Sequence, residues 1–306
     1  YYDLDNNLYT IKNADLATFE VLNSPYSSSV YFAKDKNNVY YNGKKLDGIV
    51  PNDFEQIQSY FIKDKNGIYK FEEGENEQDL KITPINAKID FKNLKELDWK
   101  YFGDDKNIYY FDEDRFKKVD KADINSFERI DFTAFFKDKN NVYYEGEKIE
   151  GIDMNSIEVI NGMCIKDKNS VFYEGKKLRN ISPTNFNIFD GGMSYDRILV
   201  DKNGAYKLME NENQKDKIIP LDSKNIDLKT LERIDSPINS SNYFKDKNGV
   251  YFLNGEKFVK INGADIESFE VTMSGKYGKD RNNVYFEGKK MEGENPKKFE
   301  EEMEIK

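Results

Sequence analysis

The side chains that most often perform acid–base, nucleophilic or metal chemistry are scarce in this sequence. Among 306 residues there is no histidine and a single cysteine, Cys164. Histidine is the commonest general base near neutral pH, and a cysteine nucleophile needs a neighbouring base to form its thiolate. Cys164 stands where equivalent segments have Phe or Tyr, so we expect a small buried hydrophobic residue. The sequence therefore predicts no cofactor, no metal ion and no intramolecular disulfide.

Carboxylates are the abundant reactive groups, with 57 Asp and Glu against 47 Lys and Arg. Two carboxylates at a suitable separation can hydrolyse a glycosidic bond, but no pair stands out. Segments such as Asp35-Lys36-Asn37-Asn38 bring carboxylate and amide groups together, as calcium loops do. A calcium ion takes about six oxygen ligands or more, and each segment offers an Asp and an Asn beside a lysine. We therefore predict hairpin turns at these segments.

The net charge of −10 disfavours several classes of partner. An acidic surface repels nucleic-acid phosphates and anionic membranes, so we expect no nucleic-acid partner and no membrane docking by charge. No apolar run approaches the ~18 residues of a membrane-spanning helix, so no transmembrane segment is predicted in this chain. The chain begins with Tyr1, so its first residues carry no information on a signal peptide.

The Asp-Lys-Asn segment recurs along the whole chain. A degenerate copy begins at Leu4, and further copies begin at Asp35, Asp64, Asp104, Asp138, Asp167, Asp201, Asp246 and Asp280. Five residues after each start comes an aromatic residue, such as Tyr40 or Tyr143. Alternate residues of a strand face opposite sides, so this residue is predicted to face a core. The next position varies and is predicted to face a surface that is only sometimes covered, and its aromatic members are candidate ligand-binding residues: Tyr41, Tyr110, Tyr144, Tyr173, Phe252 and Phe286.

Each copy is predicted to be the first turn of a β-hairpin unit. A second turn follows, as at Asn42-Gly43, and then a short return strand such as Lys44-Lys45-Leu46. Between units, a polar residue precedes a large apolar residue by four positions, as in Asp15 and Phe19. An apolar residue before the polar one completes the pattern of an N-cap with a hydrophobic staple. Each connector is therefore predicted to be about one helical turn.

These units predict an all-β tandem repeat of about nine β-hairpin units joined by one-turn helical connectors. We expect one continuous domain, residues 1–306, forming an open, curved or superhelical array. The alternative is a closed β-propeller with about eight or nine blades, in which residues 300–306 would supply a strand. Segment 35–54 matches segment 167–186, so four-unit blocks are expected at about 1–137 and 138–279, with a ninth unit at 280–306.

The tandem KDKNxVYYxGKK segments, followed by AD-x-x-S/T-F-E, resemble the bacterial DKNYY repeat family over nearly the whole chain. The first, fourth and seventh units depart most from the pattern. The resemblance implies a bacterial protein associated with the cell envelope, and it implies no activity.

We therefore expect a non-enzymatic binding or scaffold protein that is secreted, periplasmic or surface-attached, with an unknown protein or glycan partner. The alternative is a carboxylate-dependent hydrolase acting on a polysaccharide or envelope substrate. Two long polar loops, Glu72–Asp79 and Glu210–Lys217, occupy equivalent places in the two blocks and are candidate binding tips. The segment Phe189–Ser194 interrupts the repeat and is predicted to be an irregular turn.

Overall fold

The structure is a computed structural model that describes residues 11–22, 32–74, 80–85, 89–112, 114–189, 196–209, 217–238 and 240–303. Within these ranges the chain forms eight four-stranded antiparallel sheets, each with its strands side by side in chain order. We number the sheets 1 to 8 and call the strands of each sheet A, B, C and D. The all-β tandem repeat is therefore confirmed, and the degenerate copy at Leu4 lies outside the described residues.

Two compact units divide the chain, Tyr1–Met154 and Asn155–Lys306, and each contains four sheets. In the first unit, sheet 1 consists of β1 Glu20–Leu22, β2 Phe32–Lys34, β3 Val39–Tyr41 and β4 Lys44–Lys45. Sheet 2 consists of β5 Glu55–Gln58, β6 Phe61–Asp64, β7 Gly67–Glu73 and β8 Leu80–Ile85. Sheet 3 consists of β9 Lys95–Asp98, β10 Tyr101–Gly103, β11 Ile108–Asp112 and β12 Arg115–Lys118. Sheet 4 consists of β13 Glu128–Arg129, β14 Phe135–Lys137, β15 Val142–Tyr144 and β16 Glu147–Lys148.

The second unit repeats the arrangement. Sheet 5 consists of β17 Glu158–Asn161, β18 Cys164–Lys166, β19 Val171–Tyr173 and β20 Lys176–Lys177. Sheet 6 consists of β21 Asn187–Phe189, β22 Asp196–Val200, β23 Ala205–Met209 and β24 Lys217–Pro220. Sheet 7 consists of β25 Glu232–Arg233, β26 Tyr243–Asp246, β27 Gly249–Asn254 and β28 Lys257–Lys260. Sheet 8 consists of β29 Glu270–Val271, β30 Tyr277–Lys279, β31 Val284–Phe286 and β32 Lys289–Met291.

Consecutive sheets of a unit pack face to face, so strands B and C of an inner sheet are covered on both sides. Val39 and Tyr41 of sheet 1 share a core with Ile62 and Phe71 of sheet 2. The opposite face of sheet 2 packs on sheet 3, where the rings of Phe61 and Phe102 lie 5.5 Å apart. The second unit has the same plan, with apolar cores between sheets 5 and 6, 6 and 7, and 7 and 8. Continuous apolar triplets such as Val39-Tyr40-Tyr41 form because neither face of the strand meets solvent.

The connectors are shorter than a helix in most places. A hydrogen bond from the Thr18 N–H to the Asp15 carbonyl closes the connector before sheet 1, and the Ser126 N–H and Asp123 carbonyl do the same before sheet 4. In the described residues one connector forms a 3₁₀ helix, Met154–Ser156, and the remaining helix is α1, Pro296–Met303. The strand expected at residues 300–306 is therefore wrong for residues 300–303, which continue a helix that starts at Pro296. Asn295 accepts the Lys297 N–H at this helix start.

Candidate functional site

The aspartate that begins each repeated turn is buried and accepts several hydrogen bonds. In sheet 1, one carboxylate oxygen of Asp35 accepts the N–H groups of Asn37 and Asn38 at 2.7 and 2.8 Å. The other oxygen accepts the hydroxyl of Tyr40 at 2.8 Å and the N–H of Asp15 at 2.9 Å. The first oxygen thus closes the turn, and the second accepts hydrogen bonds from the aromatic residue five positions later and from the preceding connector. We call this arrangement the aspartate hub.

The hub repeats through both units. The first bond of the turn recurs at the corresponding aspartates, which are Asp64, Asp104, Asp138, Asp167, Asp201, Asp246 and Asp280. Connector N–H groups reach the carboxylates of Asp64, Asp138, Asp201, Asp246 and Asp280. At Asp64 the donor is Val50, so a backbone N–H suffices where the connector lacks a polar first residue.

The hydrogen bonds decide the ionisation of the hub. Burial raises the pKa of Asp35, but the bonds to its charged form outweigh burial and lower the pKa to about 2. The pKa of Asp138 and that of Asp280 are lowered for the same reason. On the partner side, burial and the hydrogen bond to Asp280 raise the pKa of Tyr285 to about 12. Asp280 is therefore ionised and Tyr285 neutral at physiological pH, and neither is poised to transfer a proton near pH 7.

The other residues of the motif fasten the turn to the connector. The side chain of Lys36 forms an ion pair with Asp15, and its N–H donates to Thr18 Oγ1 at 3.0 Å. Equivalent ion pairs join Lys139 to Asp123, Lys247 to Asp227 and Arg281 to Asp265. Strand A is tied to strand B by a Glu–Lys pair, as between Glu20 and Lys34 at 3.0 Å. The repeated motif therefore encodes the internal contacts of the fold.

The six candidate aromatic residues do not form one exposed surface. Tyr41, Tyr110 and Tyr173 are buried, with at most 3% of each residue's surface exposed, so the surface at this position is covered for these three. Tyr144 and Phe252 are partly buried, and Phe286 is the most exposed of the six at 37%. The physical reason is that the second face of each sheet is covered by the next sheet, which the spacing within one unit does not reveal.

Glycine turns contribute to this cover. A Cβ atom on Gly146, in the turn between strands C and D of sheet 4, would lie 2.6 Å from the Cβ of Tyr110 in sheet 3. In the second unit, a Cβ on Gly288 would lie 2.5 Å from that of Phe252. The backbone of the next sheet thus lies directly on the ring at this position, and it leaves no room for a ligand there.

Exposed apolar side chains lie instead at the turn between strands A and B. Every such turn that the structure describes carries one: Tyr60, Trp99 and Phe132 in the first unit, and Met163, Ile238 and Met273 in the second. Phe132 is 98% exposed, Ile238 65% and Tyr60 60%. We call these two sets the first-turn rows of the two units. The sequence repeat does not reveal them, because they share neither a residue type nor a fixed spacing from the Asp-Lys-Asn segment.

Neighbouring turns of a row are held side by side. Arg129, at the end of strand A of sheet 4, forms an ion pair of 2.9 Å with Asp98, which precedes Trp99. In the second unit, the hydroxyl of Ser236 donates to the carbonyl of Met273 at 3.3 Å, joining the first turns of sheets 7 and 8. These contacts place the apolar side chains of successive sheets on the same edge of their unit.

Two groups of carboxylates and amines offer further chemistry. A cleft of about 260 Å³ lies among Asp53, Lys63–Lys65 and Ile89–Lys92. Its buried ammonium group, on Lys63, donates to the carbonyls of Lys92 and Leu94 and forms an ion pair with Glu55. On strand A of sheet 3, burial and the charge of Asp98 raise the pKa of Glu96. The Lys63 amine is thus engaged in structural contacts. The surroundings of Glu96, by contrast, favour the protonated form of its carboxyl group.

Other predictions from the sequence concern Cys164, metal ligands, membrane helices and the long loops. Cys164 is buried, as expected. Among the described residues, no group of three or more potential ligands is arranged to hold a metal ion. In the same part of the chain, no helix has the length and apolar character needed to cross a membrane. The tips of the two long loops, residues 75–79 and 210–216, and the break at 190–195 lie outside the described residues.

The described sheets, with one strand order and one recurring set of turn contacts, define an all-β tandem-repeat protein. The pattern of the DKNYY family matches residues 1–147, 89–211 and 243–305. Because these matches span more than half of the chain, the protein belongs to the DKNYY family. A comparison with curated proteins finds no match to the chain.

Proposed function

We propose that this protein is a non-enzymatic binding or scaffold protein of the bacterial cell envelope or exterior, and that it binds a protein partner through its first-turn rows. The observation that carries the proposal is that every described turn between strands A and B exposes a large apolar side chain. Exposed apolar residues scattered singly are normal on a protein surface, whereas a contiguous set marks an interaction site. Recurrence at one topological position sets these residues apart from scatter.

The rest of each repeat supports a binding function. The motif residues are engaged in the aspartate hub and its connector contacts, so they hold the sheets in place and leave the turns to vary. Variable turns on a rigid scaffold are a common way to build a binding surface. The first unit presents aromatic side chains and the second presents Met and Ile, so the two rows offer different chemistry to a partner.

Retention on isolated bacterial envelopes tests the proposal. The purified chain is mixed with envelopes, sedimented and measured in the pellet, and the variant Tyr60→Ser/Trp99→Ser/Phe132→Ser is compared with it. We expect the variant to lose most of the retention because apolar and aromatic anchors dominate protein interfaces. A matched control is Leu16→Ser/Val21→Ser/Val259→Ser, which removes exposed apolar side chains outside the rows.

Equal retention of the row variant and the wild type would contradict the proposal that the first-turn rows are the binding surface. Protease treatment of the envelopes should abolish retention if the partner is a protein. Fractionation of cells that produce the full-length gene tests the proposed location, and recovery of the protein in the cytoplasmic fraction would contradict it.

A second candidate function is hydrolysis by a carboxylate pair, and Glu96 is the residue that favours it. Its pKa is raised, as a general acid requires, and Asp98 on the same strand pairs with Arg129. Exposed Trp99 lies beside this pair in sequence. Release of reducing ends from envelope polysaccharides, abolished in Glu96→Gln, would support this function. If the wild type releases no reducing ends, the hydrolase function is contradicted and the binding function is the remaining candidate.

A further inference from the structure

Lysines recur on one edge strand of the sheets and glutamates on the other. Strand D, at one edge, contains at least one lysine in every described sheet, and Glu147 is the single acidic residue within these strands. Strand A, at the opposite edge, contains a glutamate in every described sheet except sheet 6. The chain as a whole has a net charge of −10, so strand D concentrates positive charge on a protein that is otherwise acidic. We call the strands D of one unit its basic edge.

Contacts between strands D show that the edges of neighbouring sheets adjoin. In the first unit, Lys117 of sheet 3 forms an ion pair with Glu147 of sheet 4. In the second unit, Asp222, which follows strand D of sheet 6, donates its N–H to the Glu256 carbonyl at 2.8 Å, next to strand D of sheet 7. Packed sheets lie about 10 Å apart. Strands D of successive sheets are therefore about one Debye length apart at 0.1 M salt, so the strands D of one unit form a continuous edge.

Part of this charge is not neutralised within the protein. Five acidic residues pair with lysines of strand D: Glu72, Glu147, Glu150, Asp222 and Glu292. Lys45, Lys118, Lys177 and Lys289 are exposed, and none of them forms an ion pair with an acidic side chain of the described residues. These four lysines belong to sheets 1, 3, 5 and 8, so both basic edges keep uncompensated charge.

The side chains of the basic edge indicate which class of anionic polymer it can bind. Proteins that bind single-stranded nucleic acids stack bases on exposed aromatic rings. The aromatic residues of the described strands D, Phe116 and Phe258, are partly or fully buried, so this edge offers charge without a stacking platform. A flexible polymer with regularly spaced anionic groups needs only such a line of charge. An anionic polysaccharide meets this requirement without bases to stack.

We propose that the basic edges bind linear anionic polysaccharides through the lysines of strand D. This site is separate from the first-turn rows, and the proposal stands or fails independently of the protein partner. The lysines attract the polymer at contact distance. Salt screens the repulsion between the polymer and acidic groups that lie farther away on the chain.

The test uses dextran sulfate and polygalacturonate as probes, with neutral dextran of the same length as a blank. Binding of the full chain is measured by fluorescence anisotropy of labelled probe at low and moderate salt. We expect both anionic probes to bind, neutral dextran not to bind, and the affinity to fall as salt rises. In Lys45→Gln/Lys118→Gln/Lys177→Gln/Lys289→Gln, we expect the affinity to fall by about tenfold or more, since a lysine near an anionic surface contributes appreciably to attraction.

The matched control is Lys65→Gln/Lys106→Gln/Lys202→Gln/Lys229→Gln. It removes the same charge from exposed lysines that lie at the turns and connectors, away from strand D. Less than a twofold change is expected for it. An equal loss in both variants would mean that net charge alone governs binding and would overturn the proposal. Lysines at sheet edges also prevent edge-to-edge aggregation, so a strand D variant that aggregates but binds dextran sulfate like the wild type would overturn it as well.

Discussion

The hydroxyl oxygen of Tyr101 accepts a hydrogen bond of 2.8 Å from the backbone N–H of Gly146, which joins strand B of sheet 3 to the second turn of sheet 4. The second unit repeats this bond between Tyr243 and Gly288 at 3.1 Å. A glycine is required at this turn because the backbone approaches the neighbouring sheet closely and because Gly146 has a φ of 76°. The bond shows that contacts between sheets, as well as those within them, are repeated.

Gly146→Ala should destabilise the first unit more than Gly151→Ala. Both glycines have a φ of 76°, but a Cβ at Gly146 meets Tyr110 whereas a Cβ at Gly151 meets no atom within 4 Å. Overpacking of this kind costs roughly 1–3 kcal/mol beyond the cost of the positive φ. Urea unfolding followed by the fluorescence of Trp99, which is the single tryptophan and lies in the turn between strands A and B of sheet 3, measures the difference. Equal midpoints for the two variants would show that the turn can move away from Tyr110.

Asp35→Asn should lower the free energy of unfolding by about 2–3 kcal/mol, because hydrogen bonds to a charged acceptor are strong and a buried donor is left unpaired. The amide nitrogen that replaces one carboxylate oxygen cannot accept the bonds from Tyr40 and Asp15. Asp47→Asn is the control, since Asp47 is exposed, and its effect should stay within about 0.5 kcal/mol. A loss at Asp35 no larger than that at Asp47 would contradict the importance of the hub.

Acid should unfold the protein through the hubs. The pKa of Asp35 is lowered to about 2 in the folded state from an ordinary value of 3.8. A lowered pKa contributes stability that is complete above the unfolded value and is lost as the pH falls through the folded value. We expect the urea midpoint to be level near pH 6 and to fall between about pH 4 and pH 2. Asp35→Asn should show a smaller fall over that range, and an identical fall would assign the acid sensitivity to other groups.

Ser126→Ala should destabilise the first unit by about 1 kcal/mol, as the loss of a capping hydroxyl does. The Ser126 hydroxyl donates to the Asp123 carboxylate at 2.9 Å and accepts the Lys139 N–H at 3.1 Å. Asn125→Ala serves as the control because Asn125 is an exposed neighbour in the same turn. A null effect of Ser126→Ala would mean that water replaces the hydroxyl without loss.

The sequence predicts the local parts of this fold well. Asp35, Asn38 and Tyr40 lie within six residues of one another, so their spacing alone predicts a turn and a core-facing ring, and both are confirmed. The pairing of Glu20 with Lys34 also follows from the hairpin. These contacts depend on backbone periodicity and turn chemistry, which act over short distances.

The burial of Tyr41 and the exposure of Phe132 could not be predicted in the same way. Tyr41 is buried because sheet 2 lies on it, and that contact depends on how separate units pack. Phe132 lies in the turn between strands A and B of sheet 4, and 98% of its surface is exposed. An apolar residue placed within a predicted turn, rather than in a strand, was the available signal for the first-turn rows.

Where a connector donates a hydrogen bond to the following aspartate hub, the bond spans few residues, as in the 20 that separate Asp15 from Asp35. Strand pairing is equally local, because each strand pairs with the next one along the chain. The contact order of the protein is therefore low for an all-β fold, and a low contact order favours rapid folding. A nascent chain could complete one sheet soon after its segment leaves the ribosome, and a gene could gain or lose a copy without rethreading the rest.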